Sequence, residues 1–254
     1  MMLYVVVFLF GLVIGSFLNV CIYRIPRNLS IVFPSSKCPK CGAEIKAIDN
    51  IPLFSYILLR GRCRACKEPI SIRYPLVELL NGLCYVLVLW RYGLSPTAIV
   101  FMAYMSALIV ITFVDIDFQI IPDVITIPGA FICLALGSFV VKDPFLRVSM
   151  LGYKSSLIGA ALGFGLFYAI AILSRGGMGG GDIKMMAMVG ALTGWKGVLL
   201  TTFAGSLLGS VIGIALMALK GKGRKTRIPF GPFLAAGSAI SVLFGQEILR
   251  LYLG

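Results

Sequence analysis

Two stretches of this sequence place carboxylates where apolar neighbours make them expensive. "ITFVDIDFQIIPDVIT" carries Asp115, Asp117 and Asp123, and "GGMGGGDIKMM" sets Asp182 behind a run of glycines. An ionisable group within or at the edge of a membrane-spanning segment marks function by default. Two carboxylates on different helices, brought to one site, are the minimum apparatus for aspartyl hydrolysis: one, ionised, takes a proton from water while the other, protonated, polarises the scissile carbonyl. The competing reading of such a pair is helix capping or hydration at the lipid edge. If 115–117 is helical, Asp115 and Asp117 lie about 200° apart around the axis, so only one of them faces such a site. The chain has no histidine, which removes imidazole as a general base and as a ligand of a zinc protease, and no serine motif has a partner base. Gly176, Gly177, Gly179, Gly180 and Gly181 either open the approach to Asp182 for a peptide backbone or form a plain linker. Irregular backbone at membrane depth is tolerated only where it is buried or lines a water-filled cavity.

A second chemistry is carried by cysteine. Of seven cysteines, Cys21, Cys84 and Cys133 lie in apolar stretches and read as small buried hydrophobes. The other four form "CPKC" (Cys38, Cys41) and "CRAC" (Cys63, Cys66). Two such knuckles supply four thiolates to a tetrahedral zinc ion, at a separation close to that of zinc ribbons. A lone CxxC serves redox chemistry equally well; two in one polar loop favour a closed, structural zinc that folds a segment too small to hold a core.

The elements that must position these groups follow from hydropathy. The 254 residues are 59% apolar and 13% charged, about half the usual charged fraction of a soluble domain. Apolar windows long enough to cross a bilayer as helix fall near 3–22, 76–93, 96–114, 120–141, 154–174, 197–219 and 230–252, with a shorter one at 182–195. The expected fold is an all-α polytopic membrane protein of about eight transmembrane helices with a small cytoplasmic zinc-ribbon-like loop. Lys and Arg concentrate in 23–75, at Arg175 and Lys184, and in 220–228, so these segments are expected on the cytoplasmic side and both termini outside. The net charge of +13 sits in membrane-flanking loops without a nucleic-acid module; anionic lipid is the expected partner and nucleic acid is not. The N-terminal apolar segment lacks a basic start and a small-residue cleavage site and reads as a retained anchor. Gly205, Gly209 and Gly213 repeat every four residues, a stripe that suits helix packing or, less directly, docking of a substrate helix.

The motifs together resemble the type IV prepilin peptidases, a family of GxGD membrane aspartyl proteases. "GGGD" at 179–182 with Lys184 is similar to the GxGDxK signature, "DIDFQIIPD" at 115–123 to its partner motif, and "GSFLNVCIYRIP", the paired CxxC loop, "LRGRC" and "RYPLVE" to the family's N-terminal part, from about residue 10 to about residue 215. The resemblance implies a bacterial inner-membrane enzyme that removes the basic leader of type IV prepilins or type II secretion pseudopilins at the cytoplasmic face, then methylates the new N-terminus with S-adenosylmethionine. Carried over by residue, it implies Asp115 and Asp182 as the catalytic pair, with Gly179, Gly181, Lys184 and Pro122 in support. It also implies Gly61 in methyl transfer, and Cys38, Cys41, Cys63 and Cys66 as metal ligands. Glu78, at a helix start, is a candidate cofactor contact, although acids there serve more often as caps. The expected organisation is a first helix at 1–22, a four-cysteine zinc-binding loop at 23–75 within an N-terminal methyltransferase-associated part at 10–93, a peptidase membrane domain at 94–219, and a basic loop with the last helix at 220–254.

Two other readings compete. An ion-coupled transporter also uses intramembrane acids, but it would show an internal repeat with broken helices in both halves, and the glycine break occurs once. A zinc-bearing membrane scaffold leaves the aspartates unexplained. Within the enzyme reading, a helix N-terminus at Asp182 favours its anion and a C-terminus at Asp115 disfavours its own, which places the resting proton on Asp115. The sequence leaves the roles of Asp117 and Asp123 open.

Overall fold

A computed structural model describes residues 1–174, 177–220 and 229–253. Arg175, Gly176 and the basic residues within 221–228 lie outside the described residues, so the expectations placed on them stand as made. The described residues are mostly helical and form only isolated bridges in place of strands. The helices are α1 (Met2–Arg24), the short α2 (Phe54–Leu58), α3 (Arg73–Tyr92), α4 (Pro96–Phe118), α5 (Asp123–Phe139), α6 (Gly152–Leu173), α7 (Gly180–Lys220) and α8 (Gly231–Leu253). Among the described residues five helices are long and apolar enough to cross a membrane: α1, α4, α6, α7 and α8. The chain divides into two compact units, one of residues 1–94 with 102–110 and one of 95–101 with 111–254.

Local chemistry sets the helix ends. Ser95 caps α4 by accepting the Ala98 N–H at 3.2 Å, and Pro96 fills the first helical position, where its missing N–H costs nothing. The helix stops where Gln119 takes a left-handed φ of 55° and donates its N–H to the Asp115 carbonyl. The apolar window predicts a helix from 120, but α5 starts at Asp123. Pro122 is its N-cap, in extended conformation, and its carbonyl accepts the first helical bond from Thr126. The predicted 182–195 and 197–219 segments are one continuous run in α7, interrupted by a single non-helical residue, Gly194, at φ 72° and ψ −178°. Only glycine takes this φ without cost, and a Cβ there would lie 2.7 Å from the Ser155 hydroxyl. The residue therefore turns α7 and keeps it against α6.

In the first unit, α1 and α3 approach until little but backbone separates them. A Cβ on Gly11 would sit 2.8 Å from Gly82 Cα, and one on Gly15 2.6 Å from Glu78 Cα. Two amides tie the pair: Asn81 donates to the Gly11 carbonyl at 2.7 Å and Asn19 to the Tyr74 carbonyl at 3.1 Å. Small residues with interhelical hydrogen bonds are what remains to drive association where lipid and side chain are equally apolar.

The second unit repeats the device. Gly159 and Gly163 of α6 face the backbones of Gly190 and Met186 of α7, so closely that a Cβ on either would overlap a carbonyl oxygen. This contact escaped the sequence reading, which singled out Gly205, Gly209 and Gly213. Of that stripe, Gly205 and Gly209 pack on Phe233 of α8, as helix packing requires. Gly159→Ala is expected to lower stability by about 1–3 kcal/mol, read by thermal unfolding in detergent, while Gly165→Ala, whose Cβ meets nothing within 4 Å, leaves it unchanged.

Candidate active site and cysteine cluster

Asp115 lies one turn before the end of α4 and Asp182 in the first turn of α7. Both side chains are buried, at 6% and 8% exposure, and their carboxyl groups are near enough to act on one another electrostatically. Asp117 is exposed, so the two aspartates of "DID" point apart as helical geometry demands. Ile121, in the connection between α4 and α5, packs between the parts of the site. A Cβ on Gly181 would lie 2.7 Å from Ile121 Cβ, and one on Gly231 3.2 Å from Ile121 Cδ1.

The glycines before Asp182 have separate jobs. Gly181 must lack a side chain for Ile121 to fit, a Cβ on Gly179 would lie 3.3 Å from Asp182 Oδ2, and Gly180 faces open space. Lys184 does not serve the aspartate pair. Its ammonium bonds Asp123 Oδ2 at 2.7 Å, joining the first turns of α7 and α5. This gives Asp123 a place that the sequence left open, and Pro122 starts the helix that presents it.

One partner of the site was missed by the sequence reading. The backbone N–H of Gly231, the first residue of α8, donates to Asp115 Oδ2 at 2.9 Å. A third helix thus reaches the site through main chain, which a search of side-chain types does not see. "PFGP" at 229–232, a glycine between prolines at a helix start, is the signal that was available.

The second constellation lies in the first unit. The thiols of Cys38, Cys41, Cys63 and Cys66 all fall within 4.8 Å of one another. Tetrahedral zinc–thiolate bonds of about 2.3 Å put sulfurs about 3.8 Å apart, so the donor set fits one such ion. The two knuckles share a hydrogen-bond pattern: Cys38 N–H to the Ala43 carbonyl and Gly42 N–H to Cys38, then Cys63 N–H to the Glu68 carbonyl and Lys67 N–H to Cys63. Gly42 and Lys67 occupy equivalent left-handed positions, at φ 72° and 61°. The backbone N–H groups of Cys66 and Ala65 bring the Cys63 thiol down to about 7, toward the thiolate a metal needs. Arg64, inside the second knuckle, makes a bidentate pair with Asp49 at 2.6–3.0 Å, and its hydrogen bonds hold the Asp49 carboxyl below the ordinary carboxylate range.

Gly61 sits just before the second knuckle at φ 65°, donating to the Tyr56 carbonyl and accepting from Ile70. A Cβ there would press on the Tyr56 ring at 3.0 Å. Glu78 is buried, and its Oε2 accepts the Leu53 N–H at 2.9 Å. It anchors the loop entering α2. Of the other cysteines, Cys21 and Cys133 are buried, in keeping with a packing role.

Comparison with known proteins follows the same division of the sequence. Residues 9–92 match the model of the bacterial peptidase A24 N-terminal domain, and residues 102–214 match that of the type IV leader peptidase family. A prepilin leader peptidase/N-methyltransferase of Pseudomonas putida is 36% identical over 265 residues, covering 94% of this chain and 89% of the relative. One of Aeromonas hydrophila is 37% identical, covering 97% and 92%, and one of Legionella pneumophila 34%, covering 99% and 95%. No solved structure matches. These relatives set the transporter reading aside, and the chain belongs to the type IV leader peptidase family.

Proposed function

We propose that Asp115 and Asp182 are the catalytic pair of this enzyme, a prepilin leader peptidase/N-methyltransferase. The observation that carries the assignment is a pair of buried carboxylates from two helices that interact with each other, while the nearby Lys184 is engaged by Asp123. Like charges at close range cannot both ionise cheaply, so the pair shares one proton. The ionised carboxylate takes a proton from water as the oxygen attacks the scissile carbonyl, and the protonated one gives its proton to the carbonyl oxygen. Collapse of the tetrahedral intermediate sends a proton to the leaving nitrogen. The products are the leader's carboxylate and a new N-terminal amine.

The substrate is a type IV prepilin or type II secretion pseudopilin, itself a membrane helix, whose basic leader is presented at the cytoplasmic face of a bacterial inner membrane. Lys and Arg of 23–75 and 220–228 support that side for both loops, with the termini outside. Eight crossings satisfy this arrangement if the two halves of α7, divided at Gly194, cross separately. The organisation follows as a first helix at 1–22, the four-cysteine loop at 23–75 within a methyltransferase-associated part at 10–93, the peptidase domain at 94–219 and the closing segment at 220–254. Lipid is the surrounding partner.

Asp115→Asn and Asp182→Asn should each reduce leader cleavage by about 10³-fold with the melting temperature held, measured by product mass after incubation with a prepilin. Full cleavage by either variant would end the assignment.

The four cysteines form a structural zinc site that holds the loop together. Metal analysis of the purified protein should find one equivalent, lost in Cys38→Ser and Cys63→Ser, with cleavage chemistry independent of added chelator where the loop stays folded.

S-adenosylmethionine supplies the methyl group for the new amine. Among the described residues of the first unit, the groove of about 470 Å³ lined by Val13, Ser16, Phe17, Val20, Asn50, Ile51 and Pro52 is too apolar to match this cofactor, and Glu78 is committed to Leu53. Gly61 acts by conformation. Gly61→Ser, strained at positive φ by about 1 kcal/mol, should lose methyl transfer while cleavage persists, both read from one product mass.

A further inference from the structure

We propose that the backbone N–H of Gly231 is a positioning group that fixes Asp115 as the ionised member of the pair and so leaves the shared proton on Asp182. The inference rests on the catalytic reading above and deepens it by assigning the proton and adding α8 to the site. It reverses the assignment drawn from the dipoles of α4 and α7 alone, because that argument lacked the third helix.

The N–H groups of a helix's first turn have no partner within the helix and carry the positive end of its dipole. Gly231 directs one of them at Asp115 Oδ2, at 2.9 Å and in a buried setting. A hydrogen bond to the charged form of a carboxyl favours that form, and a direct donor in a water-poor site outweighs a helix dipole felt from one turn inside the C-terminus. The Gly179 backbone also acts on the Asp182 carboxylate, but from the same turn of chain, whereas the Gly231 donor is brought to Asp115 by a separate helix. With Asp115 held as the anion, its own charge disfavours a second one on Asp182.

The residue type follows from the same geometry. A Cβ at 231 would stand 2.7 Å from Asp115 Oδ2 and 3.2 Å from Ile121 Cδ1, so any other residue pushes the donor away from the carboxylate it holds. Among the described residues, other charges do not account for the assignment. Asp123 and Lys184 satisfy one another, Asp117 is on the exposed side of α4, and the first four turns of α8 contain no charged residue, Glu247 and Arg250 lying near its far end.

Chemical labelling of the parent protein tests the assignment directly. An epoxide is opened by attack of a carboxylate oxygen, whereas a diazoacetyl ester takes the proton of a carboxylic acid, loses dinitrogen and leaves an ester. Peptide masses should place the epoxide adduct on Asp115 and the diazo-derived ester on Asp182; the opposite pattern overturns the proposal. In parallel, the pH profile of cleavage by Gly231→Ala should show its acid limb, which reports the ionised base, moved up by about one pH unit, with kcat down about tenfold and KM within about twofold. An unmoved limb in a variant that melts like the parent also overturns it. If that variant does not fold, the labelling decides alone. A parent that labels as expected but cleaves no prepilin sinks the peptidase reading instead.

Discussion

Two carboxylates held together out of water, with no cation bonded to either among the described residues, form the constraint around which the second unit is built. A charge in such surroundings is stable only where fixed dipoles replace the solvent. Side chains do little of this work. Three helix ends converge on the pair: the last turn of α4, the first turn of α7, and the start of α8 through its Gly231 main chain. Helix termini are where backbone groups lack partners, so a site assembled from them obtains its polarity without adding polar side chains to an apolar unit.

That economy demands close approach, which explains where glycine is indispensable. At 181 and 231 the missing side chain admits Ile121 and brings a donor to Asp115. At 159, 163 and 190 it lets α6 and α7 meet backbone to backbone, which holds the start of α7, and Asp182 with it, in a fixed place. Gly194 lets α7 turn without ending. The ion pair of Lys184 with Asp123 ties the same end of α7 to α5. The geometry of the carboxylate pair and the packing of the helices are therefore one arrangement.

The first unit solves a different problem. Its loop is too polar to collapse on a core of its own, and it is held by cross-links at defined points: four thiols within reach of one ion, the Arg64–Asp49 pair, and the buried Glu78 receiving the Leu53 N–H. Left-handed residues at 42, 61 and 67 let the chain reverse tightly around the two knuckles. Here the acid at a helix start is a tether, and the glycine of "RGRC" is a hinge of fixed shape.

Residue type and spacing alone pointed to the groups that could do chemistry: acids in apolar context, the paired CxxC knuckles, the glycines before Asp182 and the helical phase that separates Asp115 from Asp117. They also placed the long helices to within a few residues, except that two expected segments are the single α7, because a long apolar run is a one-dimensional signal. What they could not give is contact across long separations. That Lys184 serves Asp123, that Glu78 holds a loop 25 residues away, and that Gly231 reaches Asp115 across 116 positions are decided by packing, and the last is made by main chain, which every residue but proline offers equally. The sequence by itself determined which groups are present and which medium they occupy; the tertiary structure decided which backbone ends face them, because only folding brings a helix terminus within hydrogen-bond distance of a buried charge.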